Sequence, residues 1–95
     1  MINTETMIKE TTEEINAVSN RIEEIENDWH STSEEIRRLE ELSDEEFETK
    51  SSYYDELLDK CHKCRVHQEI LEDFLEHFNR LLYELEEIDY LRESL

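Results

Sequence analysis

Every seventh residue from Ile8 falls on one series, Ile8, Ile15, Ile22, Trp29 and Ile36, and the companion series three residues on is Thr11, Val18, Ile25, Thr32 and Leu39. Alternating steps of three and four place both series on one stripe of an α-helix, the a/d seam of a coiled coil, with β-branched residues favoured at a. The phase holds across Ser31-Thr32-Ser33, where a loop of arbitrary geometry would lose it. The pattern therefore predicts one unbroken helix over about residues 4–42, about 58 Å long at 1.5 Å per residue.

The chain contains no Gly and no Pro, the residues that most often punctuate turns and strand ends. No stretch alternates β-branched or aromatic residues with polar ones, so the expected class is all-α. The best turn signal is Ser43-Asp44-Glu45-Glu46, which reads as a capping box with three acids at the positive end of a helix dipole. A second helix is predicted from Asp44 to about Arg92, with a seam of Phe47, Tyr54, Leu57, Cys61, Cys64, Leu71, Leu75, Phe78, Leu82 and Leu85. The whole chain, 1–95, then reads as a single antiparallel two-helix hairpin. A reversal at Ser43 would set Trp29 near Leu57, Ile22 near Cys64 and Ile8 near Phe78, and leave residues beyond about Glu87 overhanging the N-terminus.

Twenty-eight acidic against ten basic side chains give a formal charge of -18. That balance argues against nucleic acid as a ligand, since phosphate recognition needs clustered Lys and Arg. It is compatible with a solvated acidic surface, or with a DNA-like surface that occupies a basic cleft in a phage-type inhibitor of a nuclease or restriction protein. No apolar run approaches membrane-spanning length and Met1 to Glu10 lacks a signal-peptide pattern, so the expected location is cytoplasmic, without membrane insertion.

Two helices cover one stripe on each other and leave their remaining sides open. The second helix has apolar residues to spare: Leu58, Phe74, Leu81, Ile88, Leu91 and Leu95 lie beside or beyond its seam. An exposed apolar face of this kind marks an interaction site. The expectation is a helical partner completing a bundle, or a homodimer doing the same, with Leu58, Phe74, Leu81, Ile88 and Leu91 as the partner-binding residues.

Candidate chemistry is thin. Cys61-His62-Lys63-Cys64-Arg65-Val66-His67 offers zinc-like donors, but both sulfurs fall on the seam, where small apolar core cysteines are the expected reading and no metal site is assigned. His30, His62, His67 and His77 share no common spacing, and the many carboxylates lack concave walls to desolvate them. No catalytic residue and no cofactor is expected. Trp29 reads as a bulky core plug, and Lys60, Lys63 and Arg65 with His62 and His67 as a belt balancing the acidic first helix.

The size, acidity and two long helices resemble the small helical-hairpin proteins of bacterial type VII secretion, the WXG-type proteins and the accessory partners of LXG toxins. Tyr83-Glu84-Leu85-Glu86-Glu87 is similar to their Tyr-x-x-x-Asp/Glu export pattern, which makes Tyr83 and Glu87 export-motif candidates. Trp29-His30-Ser31 lacks the Gly of Trp-x-Gly. The resemblance in Tyr54-Asp55-Glu56-Leu57-Leu58 and Leu82-Tyr83-Glu84-Leu85-Glu86-Glu87 is instead to the LXG-associated partners without that turn. What this implies is a targeting factor or chaperone that binds the helical N-terminal domain of an LXG toxin, beside a second small helical protein, and is co-exported or hands the complex to the export machine.

Overall fold

A computed structural model describes residues 3–94; Met1, Ile2 and Leu95 lie outside the described residues, and with them the expected place of Leu95 on the apolar face. Three helices follow one another: α1 (Thr4–Glu40), α2 (Asp44–Thr49) and α3 (Ser51–Ser94). The described residues divide into two compact units, 3–22 with 70–94, and Glu23–Glu69. In Glu23–Glu69, α1 and α3 form a hairpin joined through α2; in the other unit the same two helices pair antiparallel. The all-α, two-helix-dominated class expected from the heptads is what forms.

The start of α1 is capped by Asn3, whose side-chain oxygen accepts from the Thr6 amide at 3.1 Å, and Glu5 adds an acid in the first turn. Arg37 and Arg38 sit at the negative end of the helix. Along α1 the predicted seam residues Ile8, Thr11, Ile15, Val18, Ile22, Ile25, Thr32, Ile36 and Leu39 are buried or half-buried, Thr4 one heptad before Thr11 is buried as well, and Ser33 and Glu35 are half-buried beside the seam. Trp29 departs from the pattern. It is 37% exposed and stands edge-on to His30, with ring centroids 5.2 Å apart, because one facing helix is too narrow a cover for an indole.

The reversal differs from the expected turn for a reason found in composition. Helices commonly stop on a left-handed residue, most often Gly, and this chain has none; no described residue has a positive φ. After Glu40 the chain instead unwinds through Leu42, whose amide donates to the Leu39 carbonyl, and restarts at Ser43. Ser43 is extended, and its side-chain oxygen accepts from the Glu46 amide at 3.3 Å, so the helix start predicted there is present.

The helix it starts is short, which corrects the expectation of a second helix running unbroken over 44–92. Thr49 and Ser51 turn their hydroxyls back onto the carbonyls of Glu46 and Glu48, and the Lys50 amide tightens onto the Phe47 carbonyl at 2.9 Å. These bonds compete with the regular ladder over a stretch of poor helix formers. Lys50 leaves helical geometry at φ -115, ψ 10, and α3 begins at the next residue. Phe47 stays half-buried, its ring edge-on to Tyr54 at 5.0 Å, so α2 is pinned to the base of α3.

Using α2 as the connector moves the register. Thr4 pairs with Asp89, Glu26 with Gln68, Ser33 with Cys61 and Glu40 with Tyr54. Each pair is centred within half a residue of Phe47, four residues beyond Ser43. The facing residues expected for Trp29, Ile22 and Ile8 are therefore displaced by about one heptad, and Asp89, expected to overhang, is covered by Thr4. A whole-heptad shift returns each seam residue to the seam, so the buried set survives the correction while its pairings change.

Polar residues interrupt the seam. Thr4, Thr11 and Thr32 are buried, Gln68 and Asp89 half-buried, and among the described residues the buried apolar side chains are Ile25, Leu39, Leu57 and Leu85. Gln68 and Asp89 were not read from sequence as seam positions, although they complete its spacing. Thr32 satisfies its hydroxyl on the Asp28 carbonyl at 2.7 Å, and no buried side-chain nitrogen or oxygen among the described residues lacks a partner.

Candidate interaction face

Beyond residue 69, α3 carries a second heptad directly beside its seam. Ile70, Phe74, His77, Leu81, Glu84, Ile88 and Leu91 repeat at steps of four and three, one position behind Leu71, Leu75, Phe78, Leu82 and Leu85. At 3.6 residues per turn this sets a second stripe about 100° round the helix from the first. The first stripe is covered by α1; the second faces outward. Ile70 is 49% and Phe74 51% exposed, Ile88 and Leu91 are similarly open, and Leu81 is half-buried.

Two shallow depressions lie along the stripe. Ile70, Asp73, Phe74 and His77 line an open concavity of about 500 Å³, formed by α3 side chains alone. Further along, Ile88 and Leu85 meet Thr4 and Met7 of α1, with Arg92, around a concavity of about 410 Å³. Ile88 is thus propped against the α1 flank that carries Met7, where the sequence had placed it beyond the helix pairing.

Four of the five expected partner-binding residues, Phe74, Leu81, Ile88 and Leu91, share this stripe. Leu58 is also exposed, but its heptad phase puts it on the opposite side of the seam, and it belongs to the Glu23–Glu69 unit. Ile70 and Met7 were missed. Ile70 was visible as the start of the second series; Met7 joins only through the packing of α1 on α3. Tyr83, 68% exposed, and Glu87 lie one helical turn apart beyond the free edge of the stripe, and Tyr90 repeats Tyr83 one heptad on.

The rim is acidic. Residues 70–91 hold seven carboxylates to one arginine, and that arginine, Arg80, reaches Glu76 at 3.5 Å. Asp73, Arg80 and Glu87 follow the free edge at heptad spacing, and Glu84 sits within the stripe.

The other singled-out residues lie elsewhere. Cys61 and Cys64 are half-buried free thiols on the seam, and Cys61 Sγ lies 3.8 Å from the Ser33 hydroxyl. Among the described residues no three His, Cys, Asp or Glu side chains gather as a metal site would require, and no helix is long and apolar enough to cross a membrane. Lys63 does not reach across to α1 as the belt reading supposed. Its ammonium contacts Asp59 of its own helix at 2.8 Å, a hydrogen bond that raises its pKa above the usual lysine value. The Tyr54 phenol donates to Glu40 Oε1 at 2.9 Å, and that bond, with burial and the neighbouring carboxylates, raises its pKa above 10.0.

Comparison of the chain with family models, with curated proteins and with solved structures gives no match.

Proposed function

We propose that this chain is a helix-binding partner protein whose outer stripe on α3 receives an apolar helix face from another protein. The observation that carries the reading is the second heptad, Ile70 to Leu91, whose larger apolar side chains stand about half exposed beside a seam that α1 already fills. Half-exposed Phe, Ile and Leu at coiled-coil spacing are the anchors a docking helix uses. The partner class implied by the sequence resemblance is the helical N-terminal domain of an LXG-type toxin, which the chain would accompany as a targeting factor or chaperone for type VII export. In that reading Tyr83, exposed beyond the free edge of the stripe, stays accessible to the export machine while the stripe is occupied.

Co-expression with such a toxin domain tests the proposal. A stable complex should co-purify, and Phe74→Asp with Leu81→Asp should abolish it while leaving far-UV helicity close to that of the parent. Loss of a central aromatic anchor alone, Phe74→Ala, should weaken binding by about 2 kcal/mol, roughly thirtyfold. A complex indifferent to all three substitutions would place the interface on another face.

A further inference from the structure

We infer that the occupant of the α3 outer stripe is a basic amphipathic helix, apolar on one stripe and lined with Lys or Arg, and not a second copy of this chain. The inference rests on the docking reading above and adds the chemistry of the partner. Its ground is the asymmetry between the stripe and its surroundings: an apolar centre at heptad spacing that carries Glu84 within it and is edged by Asp73, Arg80 and Glu87, Arg80 being already held by Glu76, while the α1 flank that carries Met7 continues at heptad spacing to Glu14 and Arg21.

Closed over its full length, self-association meets this edge with like charge. Closing the stripe on a second copy, antiparallel about its middle, sets Asp73 against Glu87 and Arg80 against its own equivalent. A parallel arrangement brings each carboxylate level with its twin. Every option adds a chain of formal charge -18 to another, and like charges facing across an interface suppress association. A helix with Lys or Arg beside its apolar seam meets Asp73, Glu84 and Glu87 with opposite sign and covers Ile70, Phe74 and Leu81 with the same stroke. The stripe spans about 33 Å, which sets the docking helix at about three heptads.

The test uses the full chain and four synthetic peptides of about three heptads. One carries a Leu/Ile seam flanked by Lys, one the same seam flanked by Glu, one the seam flanked by Gln, and one the Lys peptide's composition scrambled to remove the seam. Anisotropy should show the Lys-flanked peptide binding at least about tenfold more tightly than each of the others. That binding should weaken at least about tenfold between about 0.05 M and 0.5 M salt. It should be lost in the Phe74→Asp/Leu81→Asp variant and in the Asp73→Lys/Glu84→Lys/Glu87→Lys variant, which keeps every apolar side chain. Equal binding of the Gln- or Glu-flanked peptide overturns the charge inference and leaves the docking reading standing. Equal binding of the scrambled peptide, or no effect of either variant, overturns it by showing attraction to acid at large, and failure of the Lys-flanked peptide to bind overturns it outright. Sedimentation equilibrium that finds a dimer abolished by Phe74→Asp/Leu81→Asp overturns it in favour of a second copy.

Discussion

At the scale of single residues, the polar contacts in the seam are the most exacting. Thr4 is only 4% exposed and gives its hydroxyl hydrogen to Asp89 Oδ1 at 2.9 Å. Thr4→Val removes the donor and leaves the carboxylate without it, so urea melts should show a loss of about 1–3 kcal/mol. Thr4→Val combined with Asp89→Leu removes both halves and should recover most of that loss, a coupling that a double-mutant cycle reads directly. Tyr54 offers a pH signature. Its pKa is raised in the folded chain by donation to Glu40, so its contribution to stability is fully present below about pH 10 and is lost as pH rises through the raised value. The stability gap between the parent and Tyr54→Phe should therefore close above pH 10, and a gap that widened there would reverse the sign of this linkage.

At the scale of elements, α2 rests on its cap. Ser43→Ala removes the acceptor for the Glu46 amide and should destabilise the chain by about 1 kcal/mol in thermal or urea unfolding, while Ser43→Asp should restore it. Most of the covered face of α1, from Ile8 to Leu39, was legible, because a strict heptad leaves little freedom in which side is covered; Trp29, read as covered, was the exception, since the seam fixes direction and not how wide a side chain one facing helix can cover. The cap at Ser43 was legible for a similar reason, since its signature is local. The break at Lys50 was not, because Thr, Lys and Ser are acceptable to a helix one at a time, and only the joint return of the Thr49 and Ser51 hydroxyls to Glu46 and Glu48 interrupts the ladder. The register followed from that miss: with α2 counted into the second arm, every pairing moved by about a heptad. Half of the candidate face could be read. Phe74, Leu81, Ile88 and Leu91 declared themselves as surplus, but grouping them with Leu58 required ignoring heptad phase, and Met7 needed the packing of α1 on α3.

At the scale of the whole molecule, the balance is between a thin apolar interior and a large net charge. A formal charge of -18 acts against any compact state through self-repulsion, and the ion pairs seen at Arg38–Glu35, Lys63–Asp59 and Arg80–Glu76 are exposed pairs within single helices, of small stabilising worth. Screening should help. Raising salt from about 0.01 M to about 1 M shortens the Debye length from about 30 Å to about 3 Å, and the melting temperature should rise over that range; a fall would show that attraction between charges outweighs self-repulsion. The polar pairs between α1 and α3 then take on a different importance from their modest energies. Isoleucines and leucines at sevenfold spacing are graduations on a ruler that looks the same after every step, and sliding by one step exchanges like for like. Thr4 with Asp89 and Gln68 with Glu26 are its index marks: each matches at a single setting, so the chain gives up some apolar burial to know where zero is.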